Sequence, residues 1–242
     1  MDNLKHQVNK QEFFDICHSV LGGFINTMSK IRWQKKGIFF SEALAFVAMC
    51  KKYNINTIVE SGVRNGDSTE MWLKYFGDDV RVYSVDLMQY ENDVNAAINR
   101  LSGYKNLEFR KGDGEVVVPA IVESLPKDAR VGMLLDGPKS FGAMRIIEKC
   151  FKNSDLVKFA SIHDMGMGAL QNNGNPEYHE SIKVLNTWDN YTFITDDKEF
   201  RERFVFVDEA LGEGLGGEWN KSWDIYKQKY PVGCGLAFVE NV

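Results

Sequence analysis

Thr57-Ile58-Val59-Glu60-Ser61-Gly62-Val63-Arg64-Asn65-Gly66-Asp67-Ser68-Thr69 is the stretch on which the reading of the chain turns. A β-branched run ends in an acid, passes two glycines and enters Met71-Trp72-Leu73 and Tyr75-Phe76, which have helical spacing. That order predicts a strand, a tight turn and a helix. Gly62 and Gly66 suit a turn that takes positive φ or lets a ligand approach without a Cβ in the way. Asp67, Ser68 or Thr69 can cap the following helix, whose N-terminus would face the ligand. Glu60 separates the possible ligands: a carboxylate repels a pyrophosphate and favours a group that carries an ammonium or a sulfonium.

Outward from this turn the pattern repeats. Apolar runs end at Glu60, Asp86, Asp113, Asp136 and Asp164, so that successive acids stand 26, 27, 23 and 28 residues apart. That is the pitch of βα units building a parallel sheet. Helical patterns fill the intervals at 93–101, 116–125 and 141–151. Five strands then deliver a carboxylate to the same end of the sheet, the end at which ligands bind in open α/β folds. Asp113 before Gly114-Glu115, and Asp136 before Gly137-Pro138, also fit as helix caps.

Before the repeat, residues 11–33 have a helical apolar period interrupted at Gly22-Gly23, which predicts one or two helices, and a further helix runs from Ser41, a candidate cap, to Tyr53. After it come a Gly- and Asn-rich loop at 165–176, a helix at 177–188, a strand at 191–195, an aromatic- and glycine-rich segment at 200–230 and a last strand at 235–240. The final two strands predict an antiparallel edge. Trp219, Trp223, Tyr226 and Tyr230 either pack on that edge or form a wall for stacking a sugar.

The 242 residues suit one α/β domain with additions. A net charge of −5 with scattered Lys and Arg disfavours a nucleic-acid partner. The four cysteines, Cys17, Cys50, Cys150 and Cys234, have no metal-ligand spacing and read as free thiols. No apolar stretch reads as a signal peptide or membrane span, so the expected location is the cytoplasm.

On such a sheet Asp86 has the position from which a carboxylate accepts from ribose hydroxyls, Leu87 and Met88 can pack on a purine, and Asp113 can accept from an adenine amino group. Glu60, Gly62 and Gly66 would line the charged part of the ligand. The residues resemble the class I S-adenosylmethionine-dependent methyltransferases: residues 60–66 are similar to their first motif, Asp86 to the ribose acid, and Gly112-Asp113 to the adenine-side motif. More narrowly, Leu135-Asp136-Gly137-Pro138-Lys139-Ser140 and Ile162-His163-Asp164 resemble signatures of sugar O-methyltransferases similar to macrocin O-methyltransferase.

The resemblance implies a doubly wound, mostly parallel seven-stranded sheet with an antiparallel edge strand. It implies an N-terminal helical addition or lid at 1–40 and a cofactor-binding domain at 41–242 with an insertion at about 200–230. It further implies S-adenosylmethionine bound by Glu60, Gly62, Arg64, Gly66, Ser68, Asp86, Leu87, Met88, Gly112, Asp113 and Asp136, and methyl transfer to a hydroxyl of a sugar or other small polar acceptor. His163 is the expected base and Asp136 the alternative. Asp136 and Asp164 are the expected ligands if the reaction uses Mg2+. Lys139 either orients substrate or faces water. An NAD-dependent oxidoreductase shares the sheet and Asp86 but lacks the third glycine of GxGxxG. A non-catalytic cofactor-binding partner domain is the remaining alternative, and homo-oligomerisation stays open.

Overall fold

The computed structural model describes residues 10–31, 37–165, 176–213, 215 and 235–241. The alternation read from the sequence is present. Strands β1 (Thr57–Ser61), β2 (Arg81–Asp86), β3 (Leu107–Lys111), β4 (Val131–Leu135) and β5 (Val157–Ile162) are mutually parallel. They are joined by helices α3 (Asp67–Phe76), α4 (Glu91–Leu101), α5 (Gly114–Ser124) and α6 (Phe141–Asn153). After β5 come α7 (Pro176–Leu185), β6 (Tyr191–Ile194), α8 (Lys198–Gly212) and β7 (Ala237–Glu240). The sheet order is β3-β2-β1-β4-β5-β7-β6. The expected antiparallel edge is made by β7, which slots between β5 and β6 and runs against both.

Alternation along each strand builds two cores. Ile58, Val82, Leu134 and Phe159 face one side of the sheet; Val59, Val85, Leu135 and Ala160 face the other, against α5 and α6. The first side is the thicker. It is covered by α2 (Phe40–Lys52), whose residues from Phe40 to Cys50 are all buried, and α2 is covered in turn by α1 (Lys10–Met28). Phe46 packs on Trp72 with ring centroids 4.5 Å apart and on Phe159 at 5.4 Å, tying α2 to α3 and to the sheet. Each ring of this kind contributes about 1.5–3 kcal/mol through burial.

One open choice closes and one expectation changes. Helix α1 runs unbroken through Gly22-Gly23. Phe13, Phe14, Cys17, Val20, Phe24 and Met28 put one face into the core, with Phe13 and Phe193 at 4.8 Å, and that burial outweighs a cost of about 1 kcal/mol per glycine. The segment at 200–230 begins as helix α8, because Phe200, Phe204, Val207 and Leu211 share one buried face. The four aromatics from Trp219 to Tyr230, most of the 165–176 loop and Cys234 lie outside the described residues. Cys17, Cys50 and Cys150 are free and buried. Among the described residues no helix is long and apolar enough to cross a membrane.

Candidate active site

Because β1 to β5 are parallel, all five acids of the repeat fall at one rim of the sheet, and their surroundings give them different tasks. The β1–α3 turn is held by two contacts. Asp86 at the end of β2 accepts from the amides of Val63 (2.8 Å) and Arg64 (3.1 Å) through Oδ2, and from Met88 (2.6 Å) through Oδ1. Ser61 accepts at its carbonyl from the amides of Asp136 (2.7 Å) and Gly137 (3.0 Å), while its hydroxyl donates to the carbonyl of Gly137. Gly62 has φ +96°, and a Cβ there would lie 2.7 Å from Gly137 N. The glycine is therefore needed for the close approach of two turns as well as for conformation. Arg64, Met88, Ser140 and Asp164 also have positive φ. Non-glycine residues in that region cluster where surrounding structure holds them for function.

Glu60 does not border the opening. It is fully buried, its carboxylate taking hydrogen bonds from the hydroxyls of Ser68 and Thr69, with the Ser84 hydroxyl at 3.3 Å. Burial pushes its carboxyl up to about 7 against the pull of those bonds. The expected charged wall is thus a buried brace for the first turn of α3, with Ser68 as the residue that reaches the opening. Helix α3 starts behind Gly66 in the left-handed region, with no side-chain cap, because Ser68 and Thr69 are turned to Glu60. Asp113 does cap α5, accepting from Glu115 N at 2.9 Å. Helix α6 begins at Phe141 with Ser140 as its N-cap residue, so Asp136 is no helix cap.

A hollow open to solvent is lined by Gly37, Ile38, Gly62, Val63, Arg64, Asn65, Asp67, Ser68, Leu134, Asp136 and His163. Of the expected site residues it therefore brings together Gly62, Arg64, Ser68, Asp136 and His163. Gly66 stands at the turn's end. Asp86, Leu87, Met88, Gly112 and Asp113 lie along the neighbouring rim of β2 and β3 and are not part of the lining. Leu87 and Tyr90 are exposed there, 56 % and 53 %, and the Arg64 guanidinium lies 4.3 Å from the Tyr90 ring centre. Arg64 Nε is buried without a hydrogen-bond partner among the described residues.

His163 lies beneath the hollow between two acids. Its Nδ1 is 2.9 Å from Asp136 Oδ1, and its Nε2 is 3.4 Å from Oε2 of Glu42, a buried carboxylate on α2 that also accepts from the Phe39 amide at 3.1 Å. Burial alone would lower the imidazole's pKa, but the adjacent charge of Asp136, with Glu42 behind it, raises it to about 9. The ring is therefore cationic at neutral pH, with both nitrogens engaged. Asp136 is moved the opposite way: burial raises it, and the charges of His163 and Lys139 outweigh burial and hold it far below the usual carboxylate range. A third of its side chain stays open to solvent, so water weakens that effect. Glu42 escapes a reading by pattern, although one acid in the otherwise apolar run 40–50 is itself a sign of a buried partner.

One oxygen or nitrogen each of Asp136, His163 and Asp164 lies within 4.8 Å of the others, close enough to surround one ion. The arrangement nevertheless does not fit Mg2+. Lys139 Nζ is 2.9 Å from Asp136 Oδ1 and in contact with Asp164, so an ammonium already bridges the two carboxylates. Neither nitrogen of His163 has a lone pair to offer when both face carboxylates as donors.

The sheet order is decisive for the fold. A dinucleotide-binding sheet has the order 3-2-1-4-5-6, all parallel, whereas this chain inserts an antiparallel seventh strand between the fifth and sixth. The chain has the class I methyltransferase fold. The O-methyltransferase TomG of Streptomyces achromogenes, involved in tomaymycin synthesis and solved with S-adenosylmethionine, superposes with a TM-score of 0.51 at 14 % identity, over 65 % of this chain and 74 % of that one. An O-methyltransferase from Bacillus cereus in complex with S-adenosylhomocysteine superposes with a TM-score of 0.51 at 10 % identity, over 74 % and 83 %. No family model and no curated protein matches the sequence.

Proposed function

We propose that the protein is an S-adenosylmethionine-dependent O-methyltransferase acting on a hydroxyl of a small polar acceptor, with a sugar or glycan favoured. The observation that carries this reading is the meeting of the β1–α3 turn and the β4–α6 turn around one hollow. It sets Arg64 and Ser68 opposite Asp136 on a methyltransferase sheet. The sugar rests on the resemblance of residues 135–140 and 162–164 alone.

In this reading the adenosine lies across the rim of β2 and β3, over exposed Leu87 and Tyr90, with Asp86 and Asp113 as its polar partners. Asp86 already accepts three amide bonds, and a carboxylate has room for about four, which leaves one for a ribose hydroxyl. Arg64 Nε, which makes no hydrogen bond among the described residues and lies 3.8 Å from Asp93 Oδ2, is a donor for the methionyl carboxylate. The acceptor oxygen attacks the methyl carbon, and the C–S bond breaks with its electron pair passing to sulfur, which becomes a neutral thioether. As the C–O bond forms, the acceptor's O–H proton becomes strongly acidic, so a carboxylate suffices to take it. Asp136 is placed for that task. His163, enclosed and cationic, is better suited to hold Asp136 in position than to act as the base.

Calorimetric titration with S-adenosylhomocysteine and with NAD tests the cofactor: binding of the former alone is expected, and binding of NAD alone would end the proposal. Acceptor screening with tritiated S-adenosylmethionine then tests the residues. Asp136→Asn is expected to lower kcat by about a hundredfold, in the range removal of a positioned base produces. Unchanged turnover would take Asp136 out of the reaction.

A further inference from the structure

We infer that the Lys139 ammonium is the resident cation of this centre, filling between Asp136 and Asp164 the place that a divalent metal would otherwise take. The inference rests on the methyl-transfer reading for its purpose, and on geometry alone for its content. Three positions on two loops produce it. Asp136 directly follows β4, Lys139 comes one turn later, and Asp164 follows β5 with φ 61°. That left-handed conformation, which aspartate adopts more readily than most residues, brings the carboxylate back against Lys139.

Charge explains why the arrangement closes. Asp136 and Asp164 stand on adjacent strand ends, and two neighbouring carboxylates repel unless cations lie between them. His163 supplies one positive group beneath Asp136, with Asp164 Oδ1 at 3.7 Å from its Nδ1. Lys139 supplies the other above it, with 31 % of its side chain exposed. An ammonium is a compact point charge with three donors. Bridging the two carboxylates, it offsets charge on both. A divalent ion entering the same space would have to displace a tethered cation that never leaves the chain.

Manganese binding tests this without reference to activity. Purified full-length protein is titrated with Mn2+ while free ion is followed by electron paramagnetic resonance, alongside Lys139→Met and Lys139→Met/Asp164→Asn. Wild type is expected to show no site at millimolar Mn2+. Lys139→Met is expected to bind about tenfold tighter or more than wild type, and the double variant to lose that gain. Saturable binding by wild type that Asp164→Asn abolishes overturns the inference, and so does a folded Lys139→Met protein that gains no site. If circular dichroism shows Lys139→Met unfolded, Lys139→Gln takes its place with the same expected gain. S-adenosylhomocysteine titration of the same wild-type sample judges the cofactor separately, so a failure of the methyl-transfer reading is not confused with a failure of this one.

Discussion

Gly62→Ala probes the contact on which the site is built. Gly62 has φ +96°, and an added Cβ would stand 2.7 Å from Gly137 N, 2.8 Å from the Asp136 carbonyl carbon and 3.2 Å from Asp136 Cβ. Two of these neighbours are backbone atoms, so no rotamer change relieves them. The loop that carries them is not free to move, because Asp136 N and Gly137 N both donate to Ser61 O, at 2.7 and 3.0 Å. A left-handed conformation costs an L-residue about 1–2 kcal/mol, and forcing packed atoms apart about 1–3 kcal/mol more. The expected loss is therefore about 2–5 kcal/mol, a large part of the roughly 5–15 kcal/mol that holds a domain together. Urea unfolding followed by circular dichroism measures it, with an unchanged m-value as the condition for reading the midpoint as stability. Gly23→Ala is the matched control. It lies on the exposed face of α1 with nothing within 4 Å of its Cβ position and should gain about 0.5–1 kcal/mol. In the folded fraction, Gly62→Ala should also weaken S-adenosylhomocysteine binding, since the turn that lines the hollow has to shift. A Gly62→Ala protein within about 0.5 kcal/mol of wild type would refute the tight approach of the two turns, and with it the account of how Asp136 is positioned.

Asp86→Ala strips the acceptor from the amides of Val63, Arg64 and Met88 and is expected to cost about 1–3 kcal/mol in thermal and urea unfolding. Asp86→Asn, which keeps one acceptor oxygen, should lose less, and equal losses would mean the carboxylate does not hold the turn. Between about pH 4 and 9 the groups with raised values make stability fall as pH rises. Glu60 and Asp208 have carboxyls raised by burial from 4.5 and 3.8 to about 7, so what they contribute is complete below their ordinary values and is lost as pH climbs through 7. His163, raised from 6.5 to about 9, extends the loss upward, its contribution complete below 6.5 and gone above 9. Urea midpoints should show Asp208→Asn with a shallower decline than wild type between about pH 4 and 7, and parallel curves would contradict the buried proton. Glu42→Gln removes the acid facing Nε2 of His163 and should lower the imidazole's titration midpoint by about one pH unit, read from its ring resonances by NMR. An unmoved midpoint would show that Glu42 does not sense the ring.

The parallel sheet was legible because it is written locally. A βα unit needs only an alternation of β-branched runs, helical periods and turn residues, and the spacing of Glu60, Asp86, Asp113, Asp136 and Asp164 reports it directly. Asp113 as a cap and Gly62 as the tight position follow from the same short-range rules. Whether 11–33 forms one helix or two was not legible, because a long-range apolar face overrides the local cost of Gly22 and Gly23. The tasks of the acids were not legible either. Glu60, Asp86 and Asp136 look alike in sequence, yet one is sealed beneath α3, one pins a turn, and one meets the opening between two cations. Those differences come from Ser68, the amides of Val63 and Arg64, and the side chains of Lys139 and His163. Glu42 stands 121 residues from His163 along the chain. The sequence alone thus determined which end of the sheet gathers the acids, because strand polarity is a local property. Only the tertiary structure decided the charge of each group there, because pKa and hydrogen bonding depend on what distant segments place within a few ångströms.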